Sequence, residues 1–353
     1  MDNLIYQKFS NFDHNDTFFD SLKADYKEFP SWLVKKADNG ESAYVLYGDN
    51  SEIEGFMYLK EMDDGEGITP LLPAGNHLKI GTFKFESKKT LRGQRFLKKA
   101  FDRAISSGSQ DIYVTVFEKH GHLIRLFQTY GFYKHGEKET PNGKEFVYVR
   151  SLNEVNGDVL LDYPLVLNKN AKRFLLSIYP EFHTRLFPDS KLVTDSPDIV
   201  QDVSHTNSIH KIYICGMHTV SRMQRGDIIV IYRTGDQKGA AFYRAVASSI
   251  CVVENIRKID DFKDEESFVS YCGKFSVFNE DELRGFYRSR KYPYVLRFTY
   301  NLALPKRPTR GKLIEEVGLN GTKGFRWSHF ELTENQFNKI LELGQVDESF
   351  IIN

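Results

Sequence analysis

The chain has 353 residues, 41% hydrophobic and 27% charged, enough for two domains of ordinary size with a core in each. Its 48 lysines and arginines balance 48 aspartates and glutamates, which excludes a whole-molecule field drawing it to nucleic acid or anionic membrane and leaves only local patches. Cys215, Cys251 and Cys272 stand at no CxxC or CxH spacing, and His205, His210, Cys215 and His218 fit no zinc pattern, so neither a disulfide framework nor a metal is expected.

The opening MDNLIYQKFSNFDHND has an acid at its second residue and no apolar core of signal-peptide length. No stretch approaches the roughly eighteen apolar residues of a membrane span, so a cytoplasmic setting is expected. Residues 1–36 read as helical with an interruption at Pro30, and SAYVLYGD and IEGFMYLKEM as a hairpin turning at DNSE. The strand LKIGTFKF leads through the basic loop ESKKTLRG into a helix with Phe96, Leu97, Ala100, Phe101 and Ala104 on one face. DIYVTVF reads as a buried strand, HLIRLFQTYGF as a short helix ending at Gly131, and the residues after it as a hairpin turning at Asn142-Gly143.

The turn-rich NEVNGDVLLDYP is a boundary signal. It sets a first domain over 1–152, a linker and helical segment over 153–204 with a break at Pro180, and a second domain over 205–353. The runs KIYICG, RGDIIVIYRTGD, GAAFYRAVASSICVVENI and YPYVLRFTYNLAL suggest a small β-barrel, and the chain closes in a helix capped by Thr333 and Gln336 and stopped at Gly344. The expected class is α+β: a mixed sheet flanked by helices, then a small β-barrel with helices.

Charge is uneven: Met1–Leu78 holds 15 acids against 6 bases, whereas Lys79–Arg103 holds 9 bases against 2 acids. A basic loop opening a helix offers oriented backbone N–H groups and positive charge to phosphate. The order strand, basic loop, helix, strand, helix ending in YGF resembles the GNAT acetyltransferases over about residues 40–150. The family's loop, Q/R-x-x-G-x-G/A, falls on Lys88, Leu91 and Gly93, with leucine in place of a glycine. The resemblance implies acetyl-CoA as cofactor, its pyrophosphate at Lys88, Leu91, Arg92, Gly93, Gln94 and Arg95. It also implies a thioester facing the amides of Phe83, Lys84 and Phe85, on a strand splayed near Gly81. The family's second motif places His120 at its Asn, Leu123 at its Ala and Phe127 at its Tyr. Phe127 would line the cofactor but cannot protonate the departing thiolate, which leaves Tyr130, Tyr133, a water or no acid. His120 is a candidate for cofactor binding or proton transfer. The general base stays open among Glu54, Glu61, Asp63, Asp64 and Glu66.

From Arg284 to Lys312 nine bases and no acid interleave with Phe286, Tyr287, Tyr292, Tyr294, Phe298 and Tyr300. Such a run offers phosphate partners and stacking faces, or else turns half its aromatics into a core. With GD ahead of the apolar IIVIY and a late GFRWSHFEL, residues 205–345 resemble the PUA superfamily, in particular its ASCH and EVE branches. That resemblance implies RNA or modified-base binding, with Trp327 and Tyr292 caging a base and Arg288, Arg290, Lys291, Lys306, Arg307 and Arg310 on phosphates. The combined expectation is an acetyl-CoA-dependent N-acyltransferase whose acceptor amine is carried on or delivered with RNA, aminoacyl-tRNA or an RNA base included. The alternatives are an RNA- or modified-base-binding protein whose GNAT-like domain has lost turnover, and a protein or small-molecule N-acetyltransferase.

Overall fold

One parallel strand pair sits inside an otherwise antiparallel sheet, and it organises the first half of the chain. The computed structural model describes residues 4–48, 50–86, 91–187, 208–236 and 238–353, which fall into two bodies, Met1–Asn156 and Gly157–Asn353. The first body runs β1 (Leu4–Lys8), α1 (Asp20–Asp25), α2 (Phe29–Asp38), β2 (Ser42–Tyr47), β3 (Ile53–Asp63), β4 (Ile68–Thr69) and β5 (His77–Phe85). It continues with α3 (Arg92–Ser106), β6 (Asp111–Val116), α4 (Gly121–Thr129), β7 (Tyr133–Thr140) and β8 (Gly143–Ser151). Its eight strands are ordered β1-β2-β3-β5-β6-β8-β7-β4, with β5 and β6 parallel.

The expected hairpin is β2–β3, and the apolar stripe of α3 is wholly buried at Phe96, Leu97, Ala100, Phe101 and Ala104. Three readings change. Leu4–Lys8 is a strand rather than helix, because pairing along β2 from Leu4↔Leu46 to Lys8↔Ser42 outweighs local propensity. Pro30 lies in the first turn of α2 instead of breaking a helix, since its missing N–H falls where no partner is needed. The β7–β8 hairpin pairs Thr140 with Gly143, so its loop residues are Pro141 and Asn142.

The second body contains β9 (Val166–Leu167), β10 (Arg173–Ile178), α5 (Pro180–Leu186), β11 (His210–Cys215), β12 (Ile228–Arg233), α6 (Ala241–Arg244) and β13 (Val246–Lys258). Then come α7 (Glu265–Cys272), α8 (Glu280–Ser289), β14 (Tyr294–Ala303), α9 (Arg310–Glu315), β15 (His329–Leu332), α10 (Glu334–Gly344) and β16 (Ile351–Ile352). Six strands pair in the order β11-β14-β13-β12-β10-β15, and β9 pairs with β16. The fold class is α+β. Along β12, Ile228, Val230 and Tyr232 enter one apolar cluster while Ile229 and Ile231 enter another, so the sheet is covered on both faces.

The segment read as helical before Pro180 is the strand β10, lying parallel to β12. A continuous apolar run such as RFLLSI suits either element, and pairing on both sides decides for the strand. Thr333 and Gln336 form the expected reciprocal cap on α10, while the helix ends on Gln345 in the left-handed region (φ 54).

Candidate active site

β5 and β6 pair only from His77↔Asp111 to Ile80↔Val114. Beyond that point β5 stays with β3 through Gly55↔Phe85, and β6 stays with β8 through Val116↔Phe146, so the two strands part. The closed end is fastened by His77 Nδ1 on both Asp111 carboxylate oxygens, at 2.8 and 2.9 Å. Burial raises the Asp111 carboxyl above its ordinary range, and the His77 hydrogen bond acts against that rise. Gly81 is the extra residue where the β3–β5 register shifts, and a Cβ there would lie 2.9 Å from the Tyr58 ring.

Alternation fixes which backbone groups face the gap. The Glu86 N–H donates to the Glu54 carbonyl at 2.8 Å, so Glu86 and, two residues back, Lys84 point their amides at β3. Phe83 and Phe85 therefore direct theirs away from β3, where no strand lies opposite among the described residues. Of the three amides expected to meet a thioester, Lys84's belongs to the β3–β5 ladder. Its ammonium rests on the Phe18 carbonyl and ring.

The gap opens into a cavity of about 670 Å³, lined among others by Gly81, Phe83, Phe85, Val116, His122 and Phe127. Phe83 contacts Phe85, Phe96 and Phe127 with ring centroids 5.3–5.7 Å apart, giving the gap an apolar floor. The start of α3 adjoins it. A Cβ on Gly93 would lie 2.8 Å from Phe85 Cζ and 2.7 Å from Leu126 Cδ2, so any side chain there would have to push one of them aside. Leu91 precedes the helix with φ −86, an ordinary value for leucine, and its carbonyl accepts from Gln94 and Arg95 N–H at 3.0 and 3.2 Å. Among the described residues no side chain caps this terminus, and its first turn carries no acid, so the positive end of the helix dipole suits an anion.

The basic side chains there are more committed than their sequence suggests. Arg92 pairs with Glu54 and donates to the Glu86 carbonyl, and Arg95 is 3% exposed. Gln94 is half-buried, and Lys88 lies outside the described residues.

Tyr130 is wholly buried and does not line the cavity, whereas Phe127 does. His120 lines it too, with Nε2 3.1 Å from Asp25. Of the expected bases whose side chains are described, none lines it: Glu54 holds Arg92, Glu61 holds Arg103, and Asp64 and Glu66 are exposed; the Asp63 side chain lies outside the described residues. Sequence reasoning missed His122, whose ring lies 6.3 Å from Phe85 and 6.3 Å from His120. Partial desolvation first, then the charges of His120 and Arg125, lower its pKa from the usual value, favouring the neutral imidazole that a base requires. Its signal was the HGH at the head of α4. Also missed was the wall from α1, α2 and β8: Asp25, Tyr26, Glu28, Trp32 and Glu145.

No family model and no curated protein matches this sequence. Among solved structures, an ASCH protein from Zymomonas mobilis, in a single-residue variant, is similar at 14% identity, covering 49% of this chain and 97% of that one, with a TM-score of 0.32. A GNAT-family acetyltransferase from Streptococcus agalactiae is similar at 13% identity, covering 35% and 71%, with a TM-score of 0.28. The NatC complex bound to Gag peptide and CoA is similar at 16% identity, covering 42% and 97%, also at 0.28. At these scores the likenesses assign no role to any residue.

In the second body the expected nucleic-acid residues are committed to different degrees. Arg288 is held by Glu265 at 2.9 and 3.0 Å, and Arg290 lies 3.3 Å from Asp260 and 3.8 Å over the Tyr287 ring. Trp327 is 8% exposed, packed on Tyr232 and donating Nε1–H to the Asn320 carbonyl at 2.9 Å. Tyr292 instead packs on Phe286, so these two rings do not form a base cage. Lys291 and Lys306 are exposed, Arg307 is half-buried, and Arg310 sits 4.8 Å over Trp327. Tyr294, Phe298 and Tyr300 of the same run turn into the core. Asp227 of the GD pair is a turn clamp, accepting from Lys172 and Gln224 N–H at 3.0 and 2.7 Å.

Proposed function

We propose that the first body is an acyl-CoA-dependent N-acyltransferase. The observation that carries this reading is the parting of β5 from β6, which leaves two strand edges facing each other across a cavity beside a helix start that no described side chain caps. Such edges suit an extended chain bearing amides, such as the pantetheine arm, and the α3 terminus suits its phosphates. Bound there, acetyl-CoA would supply an acyl thioester for transfer to an amine, with release of the thiol.

The residues divide the remaining work. The Phe83 and Phe85 amides face the gap and can stabilise negative charge growing on a carbonyl oxygen. Phe83, Phe85 and Phe127 exclude water. His122 takes the proton the amine sheds as its nitrogen bonds to carbon. Phe127 offers the departing sulfur no hydroxyl, and a thiolate can leave without one.

Calorimetry with acetyl-CoA, followed by thiol release with a panel of primary amines, tests the reading; absence of coenzyme binding at millimolar concentration removes it. His122→Gln is expected to slow turnover by about 10²-fold with coenzyme affinity unchanged. Equal turnover would take the base role from His122.

A second reading, in which the acceptor is carried on RNA, draws on the exposed Lys291 and Lys306 and the half-buried Arg307. Changing all three to alanine is expected to flatten the salt dependence of RNA binding by roughly one unit of slope for each phosphate left without its cation. An unaltered slope would mark these residues as merely solvated.

A further inference from the structure

Glu145, on β8, is 4% exposed and lines the cavity. Its partner is a neutral donor, the Tyr26 hydroxyl at 2.5 Å, and no cation pairs with it among the described residues. Burial first, and then the Glu145 carboxylate, push the Tyr26 hydroxyl well above its usual pKa, so this donor keeps its proton. Glu28, at the exposed rim, is likewise held by a neutral group, accepting from Asn142 Nδ2 at 2.9 Å on both oxygens. Asp25 differs, for the Lys119 ammonium already answers its charge.

The three lysines around the cavity do not supply the missing charge. Lys79 sits over the Tyr113 ring, Lys84 on the Phe18 carbonyl and Lys138 on the Glu66 carbonyl. A carboxylate removed from water and met only by a neutral donor is left uncompensated, a state that a bound cation relieves. The aromatic side chains of Tyr26 and Trp32 on the same wall favour an ammonium over an anion.

We propose that the acceptor is a small diamine: one nitrogen attacks the thioester beside His122 while the second, still an ammonium, seats against Glu145, with Glu28 drawing the molecule in at the rim. This rests on the acyltransferase reading of the same cavity. The reacting nitrogen gains the acyl carbon and loses a proton to His122, the carbon–sulfur bond breaks, and the sulfur leaves with the electron pair. The second nitrogen is unchanged. Because Glu145 is so enclosed, the anchoring group must be slender, which favours an alkylammonium on a methylene chain over a guanidinium.

The test is calorimetry on the full chain with 1,5-diaminopentane and, separately, pentylamine. The diamine is expected to bind the wild type more tightly. Glu145→Gln should weaken it by about 10–100-fold, the range for losing a charged hydrogen-bond partner, and leave pentylamine nearly unaltered. Tyr26→Phe, which keeps the carboxylate, should retain the diamine preference. Thermal melting of each variant checks that it folds. Equal binding of the two amines by the wild type, or a folded Glu145→Gln variant with undiminished diamine affinity, overturns the proposal. Acetyl-CoA titrated alone separates the readings: diamine preference without coenzyme binding keeps the cation site and removes the transferase, and the reverse pattern does the opposite.

Discussion

Gly93→Val is expected to lower acetyl-CoA affinity at least about tenfold. Gly93 lies in the first turn of α3, and a Cβ there would fall 2.7 Å from Leu126 Cδ2 and 2.8 Å from Phe85 Cζ. Valine adds two further methyls, and overpacking of this kind costs typically about 1–3 kcal/mol. The strain is released by moving Leu126, or Phe85, which lines the cavity, or the helix start that presents the amides. The last two shifts misplace a group that meets the coenzyme, and about 1.4 kcal/mol of weakened binding is already tenfold in Kd. Calorimetry measures the affinity and a thermal melt the stability; unchanged affinity in the folded variant would move the phosphates away from α3.

The second body is expected to lose stability steeply on mild acidification. His183 is wholly buried, with Nε2 2.7 Å from Ser248 Oγ, and burial first, then Arg233 and Arg307, lower its pKa to about 3. His329, 7% exposed and stacked on Phe174 at 5.1 Å, is lowered to about 4 by burial and by Arg222. Both are neutral when folded and titrate near 6.5 when unfolded. Below pH 6.5 the unfolded chain takes up protons that the folded one refuses, so stability falls with pH, down to about 4 for His329 and about 3 for His183. Each contributes about 1.4 kcal/mol per pH unit, so at pH 5 the two together cost about 4 kcal/mol. Urea unfolding followed by Trp327 fluorescence in a Trp32→Phe background measures this. The double variant His183→Gln, His329→Phe should lose that much less between pH 7 and 5, and a loss equal to wild type would refute the assignment.

The parts legible in the sequence were those governed by local pattern. β5, α3, β6 and α4 follow from alternation, the 3.6-residue stripe and the glycine punctuation, and Gly81 announced its bulge. What escaped depended on partners distant in the chain. Leu4–Lys8 and Arg173–Ile178 become strands only through β2 and β12. The run from Arg284 looked uniformly positive, yet Arg284 and Arg288 meet Glu265 and Arg290 meets Asp260, acids that lie outside the run. Trp327 looked like a stacking face until Tyr232 and the Asn320 carbonyl enclosed it. The acidic wall was hidden for the same reason, since Tyr26 and Glu145 are 119 residues apart.

The eight-stranded sheet is in effect two four-stranded halves, β1-β2-β3-β5 and β6-β8-β7-β4, stitched by a seam of four residue pairs with His77–Asp111 as its last stitch. A molecule whose amides bond to both facing edges would extend that seam, acting as a ninth strand. Occupancy would then be felt across the sheet as continuity between its halves, and an empty gap would leave them able to flex about the stitched end.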